Sequence, residues 1–326
     1  MARMFGMKSK SLHYLYQHHL SDYKKETKEE TWKREKVLTK FDIHTGEVLE
    51  EKPLYVCKPE HVGEHMCIDD KQIGKGGFTI LSNQQTGKIA MLMESVNGEE
   101  LSQALSAYLP QVGTQVTSIS SDMSPTYLKL CREQFTNAQI VIDKFHVIRY
   151  VYDAVSEIRL RIKREETEKL SKGKSQTTQD TNVLSNLEVL KRCRHTLNQS
   201  KEDWSFEQTY YMDILFDRFQ ELKVAYDLAQ DFKSWYSKEN VGRHRIITEQ
   251  LLYQWYEDVE ISGLKEFKSV TKMIEKHEEN IINYFNNADT NAKAERTNGK
   301  IKRFIANNYG MRNKDFALYR IKGYFS

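Results

Sequence analysis

The chain has 326 residues, 39% hydrophobic and 29% charged, which is enough apolar material for one large or two ordinary domains and excludes global disorder. Lys and Arg outnumber Asp and Glu only 49 to 46, so any nucleic-acid contact must come from local clustering rather than bulk charge. The longest purely apolar run, Ile89–Met93, falls far short of the roughly 20 residues of a membrane span, and no apolar segment follows Arg3, Lys8 and Lys10; a soluble, intracellular protein is expected.

Residues 1–65 read as a helical and hairpin region. Ser11–Asp22 is aromatic and His-rich, and the charged run Lys24–Lys36 extends it as a solvated helix. Val37–Phe41 and Val48–Val56 then flank His44-Thr45-Gly46, the pattern of a hairpin. Residues 66–150 read β-β-β-α-β-α-β. Met66–Ile68 leads into Asp69-Asp70; Phe78–Leu81 and Ile89–Val96 suit an antiparallel pair. Gly98–Leu109 has helical spacing, Val116–Ser120 is a short strand ending in Ser121-Asp122, and Ser124 as cap with Pro125 in the first turn starts the next helix. Ile140–Ile142 is a buried-type strand ending at Asp143. Three antiparallel strands followed by alternating strand and helix predict an α/β core with a mixed sheet.

Residues 151–285 read as wholly helical, a long helix from Val147 to Leu170 leading in, with a loop tip over Ser171–Thr181. Residues 286–326 carry an Asn-rich break and a basic helix, Lys293–Ile305. Only four prolines in the whole chain agree with so much helix. Cys57, Cys67, Cys131 and Cys193 form no CxxC pair, so buried free thiols are expected rather than a zinc finger or disulfides.

Three carboxylates occupy unusual positions. Asp69 follows a short apolar run at an expected strand end, Asp122 ends a second strand just before a helix, and Glu295 sits in a basic helix. Singly, each has an ordinary use as a turn, cap or helix-pair residue. Together they are the kind of set that phosphoryl transfer with two metal ions requires, because hard Mg²⁺ takes carboxylate oxygens and adjacent strand ends converge on one point. From Asn286 onward nine Lys or Arg face three Asp or Glu, and Lys293, Arg296, Lys300 and Arg303 fall along one side of a helix, an arrangement suited to phosphates. Arg159, Arg161, Lys163 and Arg164 form a second basic cluster. Trp204, Trp235 and Trp255 have the chemistry to stack on unpaired bases, although core packing is their commoner use.

Four segments occur in one order: Ile68-Asp69-Asp70, Ser121-Asp122-Met123-Ser124-Pro125-Thr126-Tyr127, Val141-Ile142-Asp143-Lys144-Phe145-His146-Val147, and Glu295-Arg296-Thr297-Asn298-Gly299-Lys300-Ile301-Lys302. With Tyr309-Gly310-Met311-Arg312-Asn313 near the end, the chain from about Met66 to Tyr324 resembles the DDE transposases of bacterial insertion sequences, specifically the ISL-three group. The resemblance implies a ribonuclease-H-like mixed-sheet core with a large all-helical insertion, completed by the basic helix of residues 286–326. It implies that Asp69, Asp122 and Glu295 are the catalytic, metal-binding triad. Asp70 is set aside, since strand alternation turns it to the opposite face and the family motif favours Asp69. Asp143, His146 and Asn298 are accessory candidates, and Lys293, Arg296, Lys300, Lys302 and Arg303 are candidates for DNA contact.

The activity so implied is Mg²⁺-dependent DNA strand cleavage and strand transfer of an insertion sequence, with two Mg²⁺ ions that Mn²⁺ can replace. A structure-specific nuclease and an inactive DNA-binding remnant are the alternatives. The implied partners are DNA, as terminal repeats and target, and further copies of the chain assembled on DNA; no membrane partner is expected. The setting would be the bacterial cytoplasm, at the nucleoid. Relatives carry an amino-terminal zinc-binding segment and a helix-turn-helix. The cysteine spacing here provides no such finger, so end recognition is expected either from another feature of residues 1–65 or from a separate protein.

Overall fold

The computed structural model describes residues 8–21, 23, 36–41, 47–73, 75–172, 184–286, 303–304 and 314–325. The expected turn at His44-Thr45-Gly46, residues 24–35 of the charged run, residues 173–181 of the loop tip, and Tyr309–Asn313 lie outside them.

Seven strands, β1 (Lys36–Phe41), β2 (Val48–Cys57), β3 (His65–Ile73), β4 (Gly76–Asn83), β5 (Ile89–Met93), β6 (Ser118–Ser121) and β7 (Gln139–Ile142), form one sheet of order β1-β2-β5-β4-β3-β6-β7. The described α-helices of five residues or more are α1 (Ser9–Leu15), α2 (Gly98–Tyr108), α3 (Pro125–Gln134), α4 (Lys144–Ser171), α5 (Asn186–Arg192), α6 (Phe206–Arg218), α7 (Gln220–Trp235), α8 (Arg245–Ser262), α9 (Lys265–Lys276), α10 (Glu278–Ile282) and α11 (Lys314–Phe325). The chain divides into two compact units, residues 1–141 with 289–326, and residues 142–288.

In the first unit β3, β4 and β5 make an antiparallel meander, and β6 returns parallel to β3. This mixed sheet, with α2 and α3 on its crossovers, has the strand order expected and fits the ribonuclease-H-like core that the resemblance implies. The hairpin β1–β2 is antiparallel as expected, and β2 pairs with β5, so the hairpin extends the same sheet to its edge. Strand β3 differs from expectation. It continues through Asp69 and Asp70 to Ile73, placing both carboxylates inside the strand rather than at its end. The reason is nonlocal: every residue from Met66 to Ile73 has a partner on β4, which holds a stretch too polar to look like a strand by itself.

The two faces of the sheet bury different cores. Met66, Ile68, Leu81 and Ile119 pack with Leu101, Ala104 and Leu105 of α2 and Tyr127, Leu130 and Cys131 of α3. Ile73, Phe78, Ile80 and Leu92 pack on the other side with Ala317, Leu318, Ile321 and Phe325 of α11. The start of α11 is pinned by an ion pair between Lys314 and Glu94, which also accepts a hydrogen bond from Tyr55 Oη at 2.9 Å. Residues of and after α1 pack on α11 as well, with His13 and Tyr23 both edge-on to Phe316.

Helix starts follow local chemistry, with one departure. Asn97 Oδ1 accepts from the Glu99 and Glu100 amides at 2.9 and 3.3 Å and caps α2. Pro125 opens α3 as expected, but the Ser124 side chain makes no capping bond. Asp122 Oδ1 instead accepts from the Ser124 amide at 2.9 Å, an Asx-type turn that fixes the loop ahead of the helix.

The second unit is helical, as expected. Phe232, Trp235, Tyr236, Trp255, Tyr284 and Phe285 form its buried aromatic centre. Trp235 and Trp255 are 7% and 4% exposed and donate through Nε1 to the carbonyls of Thr248 and Leu228, so both rings belong to the core and not to a base-stacking surface. The basic cluster on α4 is half absorbed in the same way: Arg159 is buried, and Arg161 bonds Glu221 of α7 and Glu266 of α9. All four cysteines are free and buried, and among the described residues no helix is long and apolar enough to cross a membrane. Asn97→Ala should cost about 1 kcal/mol in urea unfolding through loss of the α2 cap; an unchanged midpoint would show that packing alone defines that helix start.

Candidate functional site

Parallel pairing of β3 with β6 aligns His65 with Ser118, Met66 with Ile119 and Cys67 with Ser120. Carried two residues further, the same register sets Asp69 level with Asp122, just past the end of β6. Strand alternation places Cys67, Asp69, Lys71 and Ile73 on one face of β3, and parallel partners share a face, so Ser120 and Asp122 turn the same way. That face is the one covered by α11, through Ile73. Asp70 lies on the opposite face with Met66 and Ile68, toward α2 and α3. Among the described residues, then, Asp69 within β3 and Asp122 just past the end of β6 are carboxylates that this register brings level, each partly exposed.

The electrostatics around them are uneven. Lys71 Nζ lies 2.5 Å from Asp69 Oδ2 and 2.7 Å from the Asp70 carbonyl, with the two side chains only 17% and 13% exposed. An ammonium so placed compensates Asp69 where the chain itself supplies the cation. Lys71 was not among the expected site residues, although its position two residues beyond Asp69 puts it on the same strand face and could have been read from alternation.

On the other face, Tyr127 Oη and Thr79 Oγ1 are 2.8 Å apart, and Thr79 Oγ1 donates to the Ser95 carbonyl at 2.6 Å. Thr79 has one hydroxyl proton and spends it on Ser95, so Tyr127 is the donor in the first bond. Burial pushes the Tyr127 phenol well above its ordinary range, and the charges of Asp70, Asp122 and Asp69 add to it. Burial, and then the charge of Asp122, pushes the Cys131 thiol up to about 12. These two groups of α3 therefore stay neutral beneath a concentration of negative charge.

The remaining expected residues fall as follows. Asp143 is the N-cap of α4, its Oδ1 accepting from the Phe145 amide at 3.0 Å. His146 is half-buried in the first turn of α4, edge-on to Phe145 at 5.8 Å between ring centres. Both belong to the second unit. Arg303 is exposed. Glu295, Asn298, Lys293, Arg296, Lys300 and Lys302 lie outside the described residues. Among the described residues no group of three or more His, Cys, Asp or Glu is placed to hold a metal ion; Asp69 and Asp122 are the candidate pair.

The mixed α/β sheet fits a ribonuclease-H-like core, and the comparisons identify the family. The model of a family described as transposase, the ISL-three group of DDE transposases, matches residues 66–321, and the chain belongs to that family. It is similar to the transposase for insertion sequence element IS1001 of Bordetella parapertussis, 20% identical over 265 residues that make up 80% of this chain and 61% of that protein. The chain thus matches less than two thirds of that relative's length. No solved structure matches it.

Lys71→Met should lower the stability of the metal-free protein by about 1 kcal/mol, because Asp69 loses its counter-charge in a half-buried place. The same variant should gain more thermal stability from Mg²⁺ than the wild type does. An equal or smaller Mg²⁺ shift in a melting experiment would show that Lys71 does not compete for the place of a cation.

Proposed function

We propose that the protein is a DNA transposase that cuts and joins the ends of an insertion sequence by Mg²⁺-dependent phosphoryl transfer. What supports this reading is the parallel register of β3 with β6, which carried on from Cys67–Ser120 brings Asp69 level with Asp122, in a chain of this transposase family. Carboxylate oxygens are the donor chemistry that Mg²⁺, or Mn²⁺ in its place, prefers. Asp69 and Asp122 would hold the metal, and Glu295 would complete the set. Bound there, the ions supply Lewis-acid activation of the attacking oxygen and neutralise charge on the phosphate.

In the first step water attacks a phosphodiester at the element's end; a 3′-hydroxyl is freed on one side and a 5′-phosphate remains on the other. That hydroxyl then attacks a phosphodiester of target DNA, forming one new P–O bond and expelling the target's own 3′-hydroxyl. No protein nucleophile is needed, so the chain's work is positioning and electrostatics. Lys71 moves off Asp69 as the site loads and remains close enough to face a phosphate. Lys293, Arg296, Lys300, Lys302 and Arg303 would hold the DNA backbone, while Asp143, His146 and Asn298 act as accessory groups. Two DNA ends call for more than one copy of the chain on DNA, and a separate protein would help find the terminal repeats. The setting would be the bacterial cytoplasm, at the nucleoid.

The test uses the gene's flanking DNA on a supercoiled plasmid, incubated with purified protein and Mg²⁺, with and without the product of a neighbouring reading frame. Asp122→Asn should remove cleavage at the repeats while leaving DNA affinity nearly intact; an active Asp122→Asn protein would overturn the assignment. Cleavage without joining would instead identify a structure-specific nuclease. DNA binding with no cleavage under either condition would identify an inactive remnant.

A further inference from the structure

The carboxyl end of α11 forms one wall of a cleft of about 420 Å³, on the order of the roughly 300–1,000 Å³ of pockets that take small ligands. Its described lining is aromatic and cationic. Tyr16, Phe304 and Tyr324 supply rings, Lys58, Arg320 and Lys322 supply charge, and no carboxylate is among the lining residues described. The rings are already arranged in layers. Phe304 and Tyr324 stack with centres 5.2 Å apart and planes 27° from parallel. The Arg320 guanidinium lies over Tyr16 at 5.2 Å and over Phe304 at 5.1 Å. Tyr324 is 67% exposed and Tyr16 40%, so large ring surfaces face water.

That combination selects a ligand. A free phosphate would need the cations and not the rings, and an acyl chain would need the rings and not the cations. A nucleotide uses both, its base against an open aromatic face and its phosphate among the cations. A base stacked within a duplex has no face to offer, so the nucleotide must be unpaired. We propose that this cleft holds an unpaired nucleotide of the DNA strand on which the protein acts, with the base stacked on the open face of Tyr324 and the phosphate met by Lys58, Arg320 and Lys322. The inference rests on the reading of the protein as a DNA-processing enzyme and adds a site for single-stranded DNA in the same unit as Asp69 and Asp122, formed by residues separate from them.

Fluorescence anisotropy of the full chain tests it, with labelled single-stranded oligothymidylate, a labelled blunt duplex, and deoxythymidine monophosphate as competitor. Tyr324→Ala removes a largely exposed ring together with its stacking on Phe304, and should weaken single-strand binding roughly tenfold while changing duplex binding less than about twofold. Tyr324→Phe keeps the stacking face and should bind as the wild type does. Gly323 also lines the cleft, and a Cβ there would meet nothing within 4 Å. Gly323→Leu should therefore obstruct the cleft and reproduce the Tyr324→Ala loss, with circular dichroism unchanged in all variants.

Equal losses on both substrates, or single-strand binding untouched by Tyr324→Ala and Gly323→Leu, would overturn the cleft assignment and leave the transposase reading standing. Monophosphate competing as well as the oligomer would also overturn it, as a site for free nucleotide. A wild-type chain that binds neither form of DNA would sink both readings together.

Discussion

Two negative charges brought level by the register of neighbouring strands are an electrostatic burden that the rest of the first unit is arranged to bear. Like charges directly opposed on adjacent strands repel one another and weaken a sheet. A sheet cannot relax that by sliding, because a one-residue slip of β3 would turn its whole apolar set to the wrong face. The register with β4, fixed along the strand from Met66 to Ile73, therefore holds Asp69 in place. The relief available is a cation, and the chain provides one in Lys71. The same repulsion makes the position attractive to a divalent ion, which is how a burden on stability becomes a basis for chemistry.

The two faces of the sheet divide the work. On the face toward α2 and α3, beside Asp70, Tyr127, Thr79 and Ser95 satisfy one another, and burial keeps the Cys131 thiol protonated. The face toward α11 carries Asp69 and Lys71, and α11 is tied down by the Lys314–Glu94 pair at its start. Its far end opens into the aromatic and cationic cleft. A short helix thus covers the core beside Asp69 and lines the cleft at its far end.

In the helical unit, features that look suited to nucleic acid in the sequence are structural. Arg161 joins α4 to α7 and α9 through carboxylates, and two tryptophans lock helices together with rings and indole N–H groups. Charge and aromaticity in a sequence do not distinguish a surface from an interface between helices; the partner decides, and the partner lies many residues away.

Much of this was legible in the sequence because it is local. The strand and helix order follows from apolar spacing, the turn at Pro125 from its fixed φ, and the free buried cysteines from their spacing. Wording around Asp69 and Asp122 pointed to the family that the comparison with residues 66–321 supports. Tertiary structure alone decided the rest. The extension of β3 through Asp69-Asp70-Lys71 depends on β4; the joining of the hairpin to the sheet depends on β5; the loop before α3 is held by Asp122 rather than by Ser124. The cleft draws on Tyr16, Lys58 and the end of α11. A sequence determines which residues carry charge, rings and apolar surface, and how they repeat along a strand or helix. Which of them meet is set by cross-strand register and helix packing, because those contacts join segments that no local pattern relates.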